Sequence, residues 1–277
     1  GDMDAILTRF LRAGAKALRD MIAGGADKET LAAKQAELLA QFYRMLAICL
    51  GEPPKSFEAR IRDKDDKLVV SGTFSPKQFF DEYVGMNLDD YISVINAPTE
   101  DKPYYRSYSV RFLGNVAEDG GVHYVNLPVE SLKRAAIAQL KDGLPVWFGC
   151  DVDQNYLQDD GMMGISTMDA DGLFGVPVMA GLGKAARLDY GESLMTHAMV
   201  FQGVNFDGEG KPTLWRVENS WGKDHGHDGY DLMTDDWFSE YVYQVVVDRK
   251  YLTEDELAAY DSAPIPLAPW DPMGALA

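Results

Sequence analysis

Thr196-His197-Ala198-Met199-Val200-Phe201, the turn Asp207-Gly208-Glu209-Gly210, and then Leu214-Trp215-Arg216-Val217-Glu218-Asn219-Ser220-Trp221-Gly222 make up the stretch on which the reading of this chain turns. Apolar-rich runs on either side of an Asp-Gly turn read as the two strands of an antiparallel hairpin. Centred near Gly208, that hairpin sets His197 across from Asn219. Opposed residues share a face with Cβ atoms about 4.5–5.5 Å apart, close enough for an amide oxygen to accept a hydrogen bond from an imidazole N–H. A histidine held in one tautomer is the base half of a nucleophilic triad, whose third member is an activated Ser or Cys from elsewhere. Trp221 falls beside the pair, where it can keep water off the hydrogen bond. A lone histidine is more often structural, and it is the Asn219 register together with Trp221 that favours the catalytic reading.

Outward from this hairpin, the periodicity changes along the chain. Leu7, Phe10, Leu11, Leu18, Met21 and Ile22 recur at helical spacing until Gly24-Gly25. A second helix, capped by Asp27 or Thr30, presents Leu31, Leu38, Phe42, Met45, Leu46 and Cys49 before Gly51 and Pro53-Pro54 end it. Alternating runs around the charged turn Asp63 to Lys67 predict a β-hairpin, and Ser75-Pro76 opens a short helix. Strands are expected at 91–95, 104–112, 122–125, 196–206, 213–220, 229–233 and 242–248, with a helix from Pro128 through Leu140. The unbroken apolar run Pro145 to Cys150 predicts a strand buried on both faces, and the Gly-, Asp- and Met-rich residues 151–190 a long loop.

The Thr-His-Ala-Met stretch, followed by Glu-Asn-Ser-Trp-Gly and Gly229-Tyr230, resembles the His and Asn halves of papain-like cysteine peptidases. Further segments are similar to one branch of them, bleomycin hydrolase and bacterial aminopeptidase C. These are Ile48 to Pro54, Val146 to Val152, Gly191 to His197, Trp237 to Tyr243 and the terminal Trp270 to Ala277. The resemblance implies an α+β fold: residues 1–55 as a helical hairpin, 56–255 as an antiparallel β-rich papain-like domain carrying His197 and Asn219, and 256–277 as an extended C-terminal arm. It implies a broad-specificity aminopeptidase with a Cys thiolate nucleophile, His197 as catalytic base and Asn219 as its orienter. A homohexamer, peptide substrates and no metal or organic cofactor are further implications. Ala277 is expected to bind substrate in the cleft, its carboxylate facing the amino group of the incoming peptide.

In that family the nucleophile is a Cys followed by Trp, with a Gln ahead of it in the oxyanion hole, and neither motif occurs here. The chain is therefore expected to be the C-terminal portion of such an enzyme, inactive alone and partnered by the Cys-bearing N-terminal part. Cys49, on an apolar helix face, and Cys150, ending a buried strand, are expected to be inert packing residues. A structural or binding fragment without catalysis is the alternative. Pro264, Pro266, Pro269 and Pro272 favour an extended arm, with Trp270 and Met273 as its apolar anchors.

Composition removes other classes of function. The 277 residues carry 26 Lys plus Arg against 44 Asp plus Glu, a net charge of −18, which disfavours nucleic acid and anionic membranes because both need basic patches. No window reaches the ~18 apolar residues of a membrane span, and two cysteines fit a reducing cytoplasm. His225 and His227 invite a metal reading, but at i, i+2 on a Gly-rich loop they are better explained as a solvated turn. Gly181-Leu182-Gly183-Lys184 lacks full phosphate-loop spacing and reads as surface loop, and Asp151 and Asp153 read as solvated residues at a strand end.

Overall fold

The computed structural model describes residues 1–114 and 120–275, in two units, Gly1–Met86 and Asn87–Ala277. In the first, apolar residues at helical spacing wind α1 (Asp2–Ala23) and α2 (Lys28–Leu50) into a helical hairpin. Asp27 caps α2 by accepting the Thr30 N–H at 2.7 Å. A Cβ at Gly14 would come within 3.2 Å of Leu38, so glycine permits the close approach of the two helices there. Phe10 meets Phe42 with ring centroids 6.3 Å apart. Strands β1 (Phe57–Arg62) and β2 (Leu68–Phe74) pair antiparallel about the charged turn. Helix α3 (Pro76–Phe79), capped by Ser75, runs into a π turn over Phe80–Val84. Phe57, Phe74, Phe79 and Tyr83 then close as an aromatic cluster with centroids 5.3 to 5.8 Å apart. These residues lie in the first unit, whereas the boundary expected from the sequence ran between residues 55 and 56.

The second unit opens with β3 (Tyr91–Ile95), β4 (Arg106–Val110) and β5 (Tyr124–Asn126), then α4 (Val129–Lys141) and β6 (Val146–Cys150). Two-residue strands β7 (Tyr156–Leu157) and β8 (Met162–Met163) precede α5 (Ala170–Phe174) and α6 (Lys184–Asp189). The expected long loop thus contains regular pieces, each too short for periodicity to register. Then follow β9 (His197–Phe206), β10 (Pro212–Glu218), β11 (Tyr230–Thr234), α7 (Asp235–Tyr241), β12 (Val242–Asp248), α8 (Glu254–Tyr260) and β13 (Ile265–Leu267). Among the described residues, eleven strands form one sheet in the order β13-β4-β5-β3-β12-β6-β9-β10-β11-β8-β7. From β3 to β11 every neighbouring pair in that order is antiparallel.

The core gathers on this sheet. Phe148 of β6 stacks on Phe201 of β9 at 3.8 Å, and Trp215 of β10 packs between Phe201 and Phe238 of α7 at 5.0 and 4.8 Å. Strand β6 departs from the expected burial on both faces, because Trp147 remains 37% exposed while Val146, Phe148 and Cys150 are fully covered. Lys184, expected on a surface loop, is turned inward, its ammonium donating to the carbonyls of Ser239 and Val242 at 2.9 and 2.7 Å. Asp151 also corrects its expectation. It is buried and accepts from Ser193 Oγ at 2.7 Å and Thr196 Oγ at 3.3 Å, which secures the entry into β9.

Register is the chief correction in the decisive hairpin. Val217 stands opposite Phe201 and Glu218 opposite Val200, a centre on Glu209 and not Gly208, and between two irregularities Leu214, Trp215 and Arg216 pair one residue out of that register. The turn confirms the centre: Asp207 exchanges hydrogen bonds across to Lys211, and Gly210 N–H donates to Asp207 O. Extended along that register, Asn219 lies diagonal to His197 instead of directly opposed. A displacement of two residues restores the same face, and diagonal neighbours stay within reach of longer side chains.

The last segment follows the body up to its final described residues. Strand β13 adds in parallel to β4, Met273 is fully buried, and Asp271 pairs with the buried Lys102 at 3.0 Å. Trp270 is 82% exposed, so the buried ion pair, and not this indole, anchors the segment beside Met273.

Candidate active site

His197 enters the site as the first residue of β9, fixed by the Thr196 N–H donating to Cys150 O at 2.9 Å. Asn219 follows the last residue of β10, where its own N–H donates to Gly229 O. The two side chains meet: His197 Nε2 lies 3.0 Å from Asn219 Oδ1. An amide oxygen only accepts, so the imidazole donates its Nε2–H and leaves Nδ1 free as the basic atom. Asn219 Oδ1 also accepts the Ser220 N–H at 2.8 Å, while its Nδ2 donates to Asp231 Oδ2 at 3.2 Å. Trp221 lies against His197 with ring centroids 5.1 Å apart, and at 40% exposure it shields one side of the pair while facing solvent with the other.

His225 does not sit in a solvated turn. Its Nε2 is 3.1 Å from Asp231 Oδ1 and 2.6 Å from Tyr156 Oη, and its ring packs edge-on to Trp221 at 4.8 Å. The reason is the carboxylate of Asp231, which is wholly buried and takes its partners from Asn219 and from the turn. Burial, then the charge of Asp231, pushes the Tyr156 phenol far above its ordinary range, so it keeps its proton. His227 stays exposed, and among the described residues no cluster of three metal-ligating side chains occurs. The sequence reading missed Asp231, His225 and Tyr156 as members of the site. The available signal was Asp231 itself, a charge in phase with Met233 on the inward face of β11.

Ala277, expected to bind substrate, lies outside the described residues. The two cysteines part company. Cys49 is exposed, contrary to the packing role expected of it, whereas Cys150 is buried opposite His197 in the β6–β9 ladder. Burial, with Asp151 and Asp153 adding to it, pushes the Cys150 thiol well above its ordinary range and suppresses the thiolate. Iodoacetamide on the folded chain is expected to label Cys49 rapidly and Cys150 only after denaturation. Peptide mapping by mass spectrometry checks this, and fast native labelling of Cys150 would contradict it.

The sheet thus gathers a histidine, an asparagine hydrogen-bonded to it and an indole packed against the imidazole. The chain belongs to the Peptidase C1-like family, whose model matches residues 1–274. It is 48% identical to aminopeptidase C of Streptococcus thermophilus over 276 residues, all of this chain and 62% of that protein. It is 43% identical to human bleomycin hydrolase over 279 residues, 99% of this chain and 61% of that protein. The crystal structure of PepW from Lactobacillus rhamnosis superposes with a TM-score of 0.92 at 46% identity, covering 99% of this chain and 61% of that one. The chain thus spans about three-fifths of the length of these relatives. No helix among the described residues is long and apolar enough to cross a membrane.

Proposed function

We propose that this chain supplies the base half of a cysteine aminopeptidase, with His197 as base and Asn219 as orienter. The nucleophilic thiolate comes from a Cys-bearing segment outside these 277 residues. The observation that carries the reading is the 3.0 Å contact from His197 Nε2 to Asn219 Oδ1 beneath Trp221. In the proposed cycle Nδ1 takes the thiol proton, the thiolate attacks the carbonyl of the first peptide bond, and the imidazolium returns the proton to the leaving amine. Asn219 keeps Nε2–H engaged throughout, so that Nδ1 stays aimed at the nucleophile. Water then cleaves the thioester with His197 as base again. The cycle uses no metal or organic cofactor.

The same reading takes peptides as substrates, a homohexamer as the assembly and the cytoplasm as the compartment. It gives Ala277 the role of holding the substrate's amino group through its terminal carboxylate. Anchoring by Met273 and by the Asp271–Lys102 pair supports that role, since it secures the chain just before its end.

The first test is the isolated chain on aminoacyl amides. No cysteine-dependent hydrolysis is expected. Turnover that disappears on replacing Cys49 or Cys150 would overturn the assignment of the thiolate to another segment. A second test addresses the C-terminus: removing residues 275–277 from the enzyme that contains this chain is expected to abolish its preference for a free amino terminus. Cleavage of N-acetylated peptides should rise at the same time, and an unchanged ratio of acetylated to free-amine turnover would refute the role of Ala277.

A further inference from the structure

Asp231 is a buried carboxylate in contact with both Asn219 and His225. It projects from β11 on the face it shares with buried Met233, and none of its surface is exposed. One oxygen accepts from Asn219 Nδ2 at 3.2 Å, and the other lies 3.1 Å from His225 Nε2. Backbone closes over it. A Cβ at Gly161 would fall 3.0 Å from Asp231 Oδ1 and 2.8 Å from the Gly226 Cα, and one at Gly226 would fall 2.5 Å from the Tyr230 carbonyl. Both glycines have positive φ, 61° and 53°, a conformation that L side chains rarely adopt. The chain is therefore built to bring two loops down onto a charge that would be costly to bury without partners.

We propose that Asp231 is a positioning residue for the His197–Asn219 pair, dictating the orientation of the Asn219 carboxamide and through it the tautomer of His197. This inference rests on the reading of Asn219 as orienter. The argument is one of donors and acceptors. A carboxamide can present either oxygen or nitrogen to His197, and nothing in its shape distinguishes the two. A carboxylate only accepts, so it compels Nδ2 to face β11 and delivers Oδ1 to His197 Nε2–H. His225 meets the carboxylate in turn, its Nε2 lying 3.1 Å from Asp231 Oδ1, and Tyr156 Oη lies 2.6 Å from the same nitrogen. The Ser220 N–H donating to Asn219 Oδ1 at 2.8 Å works in the same sense. Asp231 hydrogen-bonds Asn219, which in turn hydrogen-bonds His197, so its influence passes through Asn219.

The experiment reads the His197 tautomer directly, by long-range proton–nitrogen correlation of the imidazole in the chain labelled with nitrogen-15, at a pH where the ring is neutral. The unmodified chain is expected to hold the Nε2–H form. Asp231→Leu, which offers no acceptor, is expected to lower the ratio of Nε2–H to Nδ1–H about fivefold, the net worth of one hydrogen bond. The isosteric Asp231→Asn keeps the shape but offers one acceptor oxygen to the donors of both Asn219 and His225, and is expected to lower the ratio about twofold. It serves as the measurement if the leucine variant does not fold. Asn219→Ala separates the two levels of the argument. If it leaves the His197 ratio unchanged, the orienter reading fails. If it shifts the ratio while a folded Asp231 variant does not, Asp231 has no positioning role.

Discussion

Replacing His197 by alanine in the enzyme that contains this chain is expected to lower kcat/KM roughly 1,000-fold or more, since the base of the proposed cycle is removed. Asn219→Ala is expected to be milder, a loss on the order of 10- to 100-fold, because it removes one hydrogen bond to a group that is charged in the cycle. The geometry gives the difference its cause. His197 Nε2 donates to Asn219 Oδ1 at 3.0 Å, and water can take over part of that duty at a site whose covering indole, Trp221, is itself 40% exposed. Steady-state kinetics of both variants on an aminoacyl amide decide the matter. Equal losses in two folded variants would show that Asn219 does more than orient, and substantial turnover in His197→Ala would remove it as the base.

Trp215→Ala is expected to destabilise the second unit by about 3–5 kcal/mol, the usual result of deleting a fully buried indole. Trp215 is wholly covered, packs between Phe201 and Phe238, and donates its Nε1–H to Asp235 Oδ1 at 3.0 Å. Truncation would leave a cavity in the middle of β10 and strip a donor from Asp235. For a body of this size the melting temperature should fall by about 10 °C. Trp215→Phe refills most of the volume but not the hydrogen bond, so it should recover most of the loss. Calorimetric or denaturant unfolding measures both, and a cost below about 1 kcal/mol for the alanine variant would mean that the strand tolerates a void.

Two residues show how far local information reaches. Cys150 was legible as buried because it closes an unbroken apolar run, and it is buried. Cys49 was read as packed from the same kind of signal, apolar periodicity, yet it is exposed. Periodicity marks a face as apolar without saying how far along the helix that face stays covered. In α2, partial burial extends to Ala47 and stops before the last turn. Lys184 fails in the opposite direction. A lysine after two glycines looks solvated, but two backbone carbonyls left over from α7 and β12 draw its ammonium inward. No residue adjacent to it in the chain announces those acceptors.

Period, turn residues and apolar runs act over a few positions, which is why the sequence by itself determined the helical hairpin, the main strands from 91 to 248 and the His197–Asn219–Trp221 group. The two apolar runs brought His197 and Asn219 near one another, but that they share a face rests on two irregularities in the ladder, between Pro212 and Leu214 and between Arg216 and Val217, whose one-residue shifts cancel. Tertiary structure decided the register along the strands, which shifts by one residue at Leu214 and returns at Val217. It also decided that Asp231, His225 and Tyr156 stand behind Asn219. Those three come from β11, a turn and β7, and what gathers them is a buried charge that must find donors wherever the folded chain can bring them. That requirement is nonlocal, and it is met only when the sheet has closed.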